Sequence, residues 1–211
     1  MTAKVIGING SPRTGWNSDT LLSFALQGAM ESGAETERIK LWDIRFSGCS
    51  SCFACKLLGP NLGRCGLKDE LTPIIERIRG ADLLIISTPV YFADVPGQVR
   101  NLFERLWFPP YLYRRDGAVA LEKRSKVLMI YTMNTKQNDK YASIVEEHMR
   151  CFDRFFGSFK YFVSTNTLQY DDYSRFTGDM FSHLEKKEWH EKVFPDQCDS
   201  VRRIVKDMLG G

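Results

Sequence analysis

No apolar run in this chain approaches the roughly 20 residues that a bilayer-spanning helix requires. Charge of one sign is equally lacking: 29 Lys and Arg stand against 26 Asp and Glu, a net of +3, with the basic residues spread rather than blocked. That charge is too small to argue for a polybasic grip on nucleic acid or on a membrane surface. Histidine is scarce. His148, His183 and His190 pair with no Ser or Cys motif, so they read as core or surface residues rather than catalytic ones. Internal repeats and low-complexity stretches are absent. The N-terminus runs straight into a β-branched segment, without the charged region, apolar core and small-residue cleavage site of a signal peptide. A cytoplasmic setting is expected. The 211 residues suit a single domain, taken as 1–211, with ordinary apolar content and a core of α/β type.

What is present begins with Val5-Ile6-Gly7-Ile8-Asn9-Gly10-Ser11-Pro12-Arg13-Thr14-Gly15-Trp16-Asn17-Ser18. A β-branched run stops at Gly10, a polar turn follows, and Leu21-Leu22-x-Phe24-Ala25-Leu26 has a helical pattern. Strand, polar glycine loop and helix together present backbone N–H groups and a helix N-terminus to an anion. Glycines at 7, 10 and 15 do not match G-x-G-x-x-G. Gly10 and Gly15 have P-loop separation, but Trp16-Asn17 stands where Lys-Ser/Thr is needed, so nucleotide hydrolysis is disfavoured. The remaining donors are Ser11, Thr14, Asn17, Ser18, Thr20 and Arg13. Many neutral donors and little charge suit a terminal phosphate monoester.

The segments alternate. Strands are expected at 4–9, 35–41, 82–88, 125–132 and 159–164. Helices are expected at 17–32, 69–79, 96–107, 137–156 and from about 196. This order implies a doubly wound parallel sheet between two helical layers. Leu83 to Ile86 is a continuous apolar run, as in a strand buried on both faces. Two long segments exceed the minimal fold: 108–124 is aromatic and basic, and 165–193 mixes charges with Tyr170, Tyr173, Phe176, Phe181 and Trp189. Segments of that length serve as lids or interfaces, or fold on their own aromatics as surface excursions.

Gly10-Ser11-Pro12-Arg13, with Asn17-Ser18 and Leu21-Leu22, resembles the first loop of the flavodoxin-like NADPH-dependent FMN reductase family. Thr88-Pro89-Val90-Tyr91 is similar to that family's second flavin loop. The resemblance implies a five-stranded flavodoxin-like sheet of order 2-1-3-4-5 in a three-layer α/β/α fold. Its ligand would lie at the carboxyl ends of strands 1 and 3, where the strand order reverses. It implies FMN, with the phosphate on Ser11, Arg13, Asn17, Ser18 and Thr20 and the ring against Pro89, Val90, Tyr91 and Phe92. Thr132 and Asn134 follow the strand 126–131, where the family's loop closes over the flavin edge, although the usual glycine is absent.

Four of six cysteines cluster as Cys49-x2-Cys52-x2-Cys55-x9-Cys65, within a loop taken as 45–67. Three closely spaced thiolates with a fourth further on suit a [4Fe–4S] cubane. Zinc sites usually pair two C-x2-C knuckles, and Cys65 stands alone. The placement after strand 2, followed by Lys68-Asp69-Glu70, resembles the iron–sulfur flavoprotein branch, except that its last spacing is usually shorter. A cluster and a reduced, cluster-free thiol loop both remain open. Asp69 also reads as a helix N-cap.

If FMN is held, no protein nucleophile is required. The resemblance leaves three functions open. The first is an FMN-dependent oxidoreductase taking electrons from NAD(P)H to a small acceptor such as a flavin or quinone. The second is an iron–sulfur flavoprotein-type carrier reduced by ferredoxin. The third is a flavin-binding module without turnover. A homodimer or homotetramer is expected, with no nucleic-acid partner.

Overall fold

In this computed structural model, residues 2–121 and 123–210 are described. The elements are β1 (Lys4–Asn9), α1 (Asn17–Glu31), β2 (Glu35–Lys40), α2 (Leu71–Gly80), β3 (Leu83–Pro89), α3 (Gly97–Trp107), β4 (Lys126–Thr132), α4 (Ala142–Phe155), β5 (Phe159–Ser164), α5 (His183–Lys192) and α6 (Phe194–Leu209). All strand pairs are parallel, in the order β2-β1-β3-β4-β5. The expected flavodoxin-like order is therefore the observed one.

The three inner strands explain the sheet. Their residues alternate between two apolar layers, because successive strand side chains point to opposite faces. Ile6, Ile8, Leu84, Ile86, Val127 and Met129 pack with α2, α3 and α4. Val5, Leu83, Ile85, Leu128 and Ile130 pack with α1 and α6. Each fully buried Leu or Ile contributes about 1.5–3 kcal/mol of transfer free energy. The edge strands β2 and β5 are only partly buried. On the second face α1 and α6 approach closely at Gly28, where a Cβ would lie 2.5 Å from the Arg202 carbonyl oxygen. A bulkier residue there would force the two helices apart.

Register brings the strand ends together. Asn9 pairs with Ser87, and Pro89 pairs with Thr132. The polypeptide leaves β1, β3, β4 and β5 on the same side of the sheet, so four loops meet there.

Most element ends fall within two residues of the sequence expectation, and two departures are larger. Helix α4 begins at Ala142 rather than 137, after a polar turn in which the Ala142 amide bonds the Asp139 carbonyl. Helix α5 forms inside the segment expected as a lid or interface. It has no apolar stripe, and its buried residue is Lys186. Its start does follow a local rule: Ser182-x-x-Glu185 is a capping-box pattern, and Ser182 Oγ accepts the Glu185 amide at 3.3 Å. No helix among the described residues is long and apolar enough to cross a membrane.

Candidate functional site

The first loop is shaped by two side chains at its ends. Asn9, at the end of β1, accepts the Ser11 amide at 2.9 Å and donates to Asp19 Oδ1 at 2.5 Å. Asp19 Oδ2 accepts the Gly15 amide at 2.7 Å, and its other oxygen pairs with Arg38. Asp19 thus ties the loop's far end back to its near end. Gly10 lets the chain pass close to α3, because a Cβ there would sit 2.6 Å from Val99 Cγ2. The first i→i−4 bond of α1 runs from the Thr20 amide to the Trp16 carbonyl at 2.8 Å. The amides of Asn17, Ser18 and Asp19 therefore precede the helical ladder at the positive end of the helix dipole.

Ser11 is buried, and its Oγ accepts the Arg13 amide at 3.1 Å, which leaves the hydroxyl proton free to point elsewhere. The Arg13 guanidinium lies 3.3 Å from the Trp16 ring centroid and donates to the Gln169 carbonyl at 2.6 Å. Asn17 donates to the Leu168 carbonyl at 2.7 Å. The chain after β5 is thus fastened across the loop after β1.

The second loop is a tight excursion. The Val90 amide bonds the Thr132 carbonyl at 2.9 Å, and Tyr91 and Asp94 exchange backbone bonds of 2.7 and 3.0 Å. At its tip Phe92 and Ala93 take left-handed conformations with φ of 48° and 64°. The third loop is joined to the first by Ser18 Oγ and Thr132 Oγ1, 2.7 Å apart. It is joined to the fourth by the Thr167 amide on the Met133 carbonyl at 3.2 Å.

These loops enclose a cleft of about 280 Å³ at the carboxyl ends of the strands. Nine sequence candidates line it: Ser11, Arg13, Asn17, Ser18, Pro89, Val90, Tyr91, Thr132 and Asn134. Two stand outside. The Thr20 hydroxyl turns back to the Gly15 carbonyl at 3.4 Å, and the residue lines a neighbouring cavity of about 450 Å³. Phe92, at the strained loop tip, is wholly exposed. The lining also includes Trp16 and Met133, which sequence reasoning missed, and residues 167–170 of the segment expected as a lid or interface. One end of the cleft is rich in donors. At Asn134 the chemistry reverses: its Oδ1 is buried and accepts no hydrogen bond.

None of the three histidines lines this cleft. His148 is core, its Nδ1 2.9 Å from the Tyr131 hydroxyl, and burial holds its pKa down near 4.

The four clustered cysteines meet at a second place. Cys49, Cys52, Cys55 and Cys65 all line one small cavity of about 10 Å³, beside Glu104 and Arg105 of α3. Glu104 accepts the Cys49 amide at 3.0 Å. Arg105 is fully buried and binds Asp69 through 2.7 and 3.0 Å bonds, the Thr72 hydroxyl at 3.1 Å and the Ser47 carbonyl at 3.0 Å. Its Nε is buried without an acceptor. Asp69 also takes the Thr72 amide at 3.2 Å, as an N-cap does, although α2 proper begins at Leu71. Burial raises the Cys55 pKa, whereas the Ala54 amide lowers that of Cys52. Among the described residues no three Cys, His, Asp or Glu are yet arranged to hold a metal ion. The donor set suits a thiolate-ligated cluster, and the orphaned Arg105 N–H suits an anionic one. The cavity is smaller than a cubane, so the loop would have to open around it.

A parallel five-stranded sheet of this order, with a polar cleft across the ends of β1, β3, β4 and β5, defines a flavodoxin-like protein. The family model for NADPH-dependent FMN reductase matches residues 3–142, and the chain belongs to that family. An iron–sulfur flavoprotein of Methanocaldococcus jannaschii is 39% identical over 144 residues, covering 68% of each protein. Another, of Methanosarcina thermophila, is 35% identical over 102 residues, 48% of this chain and 51% of that protein. The match thus spans about half the length of one relative and about two thirds of the other. Among solved structures, an NAD(P)H:quinone oxidoreductase from Methanothermobacter marburgensis superposes with a TM-score of 0.67 at 15% identity, covering 100% of this chain and 99% of that one. An FMN-dependent NADH-azoreductase of Bacillus anthracis, in complex with FMN, gives 0.67 at 13% identity, covering 99% of this chain and all of the other. These two share the fold.

Proposed function

We propose that the cleft binds FMN and that the protein is an oxidoreductase passing electrons from NAD(P)H to a small acceptor, such as a flavin or quinone. The observation that carries this reading is the cleft's polarity. Donors gather at the N-terminus of α1, and an unpartnered acceptor, Asn134 Oδ1, sits elsewhere in the same lining. FMN has the matching pattern, with a phosphate at one end and a ring imide N–H at the other. Family membership supports the same ligand.

Bound FMN would supply the two-electron chemistry. The chain supplies the rest. Ser11, Asn17, Ser18 and Arg13 hold the phosphate by charge-assisted and neutral hydrogen bonds. Pro89, Val90 and Tyr91 form a wall for the ring, and Thr132 and Asn134 close its edge. Tyr91 remains 44% exposed, so this wall also reaches solvent, where a nicotinamide or acceptor can approach. The segments 108–124 and 165–193 suit contacts between subunits of a homodimer or homotetramer, in a cytoplasmic setting. The test is anaerobic: FMN-loaded protein is mixed with NADH, NADPH or reduced ferredoxin, and flavin absorbance is followed. Bleaching by a reduced nicotinamide is the expected result. Tight FMN binding with no reduction by any donor would leave a binding module instead.

A second reading rests on the convergence of Cys49, Cys52, Cys55 and Cys65 on one cavity. In it the loop carries a [4Fe–4S] cluster, and ferredoxin is the donor. The naming of both archaeal relatives as iron–sulfur flavoproteins supports it. Anaerobic reconstitution should then give about four irons per chain, the content of one such cluster. Each single Cys→Ser variant should lose most of that iron. Full iron content in all four variants would refute the ligand set.

A further inference from the structure

A buried lysine lies behind the cleft. Lys186 of α5 is 1% exposed, and its ammonium donates to the Asn134 carbonyl at 3.1 Å, Asn166 Oδ1 at 3.1 Å and the Thr167 carbonyl at 3.2 Å. Those three acceptors use all three ammonium protons. The Phe181 ring lies 4.8 Å from the nitrogen. Among the described residues no carboxylate lies within ion-pair distance of it, and Lys136, the charge that acts on it, is also positive. Burying a charge without a counter-ion costs several kcal/mol, and an apolar residue of similar volume is often at least as stable there. Burial lowers the Lys186 pKa to about 8, so at pH 7 the fold still places a cation at this point.

The position of its acceptors suggests a reason. Asn134 follows β4, and Asn166 and Thr167 follow β5. Asn134 and Thr167 line the cleft. Asn166 is buried in a left-handed conformation, φ 52°, and its amide bonds the Thr135 carbonyl at 2.8 Å. The ammonium therefore clamps two cleft loops together while adding a positive charge directly behind them. Its first acceptor belongs to the residue whose side-chain oxygen is left without a donor.

We propose that Lys186 is a positioning residue that fixes this wall and, through its charge, makes the cleft bind reduced FMN more tightly than it otherwise would. This rests on the FMN reading above. Taking up two electrons and one proton, as in hydride transfer, leaves the flavin ring with one more negative charge. A fixed cation behind this wall favours that product without reorganising. The missing counter-ion of Lys186 is then supplied by the reduced ligand.

The experiment compares wild type with Lys186→Gln, which keeps a donor but removes the charge, and with Lys186→Arg, which keeps the charge. Dissociation constants for oxidised and for dithionite-reduced FMN are measured anaerobically, together with the midpoint potential of the bound flavin. In Lys186→Gln the affinity for reduced FMN should fall about tenfold more than that for oxidised FMN, which lowers the two-electron potential by about 30 mV. Lys186→Arg should retain the wild-type ratio. A purely structural role would weaken both forms equally and leave the potential unchanged, and that result would overturn the proposal. A wild-type protein that binds neither form would instead overturn the FMN reading itself, and this inference with it.

Discussion

Replacing Ser11 and Arg13 together by alanine should weaken FMN binding by roughly 30- to 2,000-fold. The range follows from the loss of one charge-assisted hydrogen bond of about 1.5–3 kcal/mol and one neutral bond of about 0.5–1.5 kcal/mol. The structure sharpens how each acts. Ser11 Oγ is already an acceptor for the Arg13 amide, so its proton is the part available to a ligand. The Arg13 guanidinium is stacked on Trp16 and holds the Gln169 carbonyl, so it is restrained before any ligand arrives. Less side-chain entropy is then lost on binding. Isothermal titration of both single variants and the double variant checks this. The contact between the two runs through the Arg13 backbone amide, which Arg13→Ala keeps, so the two single effects should approximately add.

Asp69→Ala should be strongly destabilising. It removes the partner of a guanidinium that has no solvent exposure and leaves that charge buried. Breaking such a pair costs about 3–5 kcal/mol, and the lower end applies because the Asp69 side chain is 20% exposed. Urea unfolding measures it. Replacing both residues by apolar ones, Asp69→Leu with Arg105→Met, should cost less than Asp69→Ala alone. The pH dependence has a definite sign. Burial raises the Asp69 pKa, but the Arg105 hydrogen bond and charge outweigh it, and the net shift is downward from 3.8. A carboxyl depressed in the folded state stabilises fully above its unfolded pKa. This contribution is therefore present above about pH 4 and lost as the pH falls through the lower folded value. The Asp69→Ala variant should lack that part of the acid transition.

The sheet was legible because its three central strands are continuous apolar runs that only burial on two faces explains. The two cleft loops were legible for a related reason. Their Gly, Pro and hydroxyl residues stand where strands end, and strand order places those ends together. What was illegible depends on distance in sequence. Gln169 and Leu168 meet Arg13 and Asn17 across more than 150 positions, and no local pattern announces it. Asp19 stands in the first turn of α1, where an acidic residue is ordinary, yet it closes the first loop. Helix α5 has no apolar periodicity and was not among the expected helices. The four cysteines could be grouped by spacing, but the buried pair beneath them joins α3 to the start of α2 and gave no local sign.

On the function proposed above, the cleft holds FMN through its phosphate. Fluorescence titration of the purified protein with FMN and with riboflavin, which differ only in that phosphate, tests it most directly. Saturable binding of one FMN per chain is expected. Riboflavin affinity should be lower by at least about tenfold, the worth of a single charge-assisted bond at its low end. Equal affinity for the two flavins, or no binding of FMN, would contradict it.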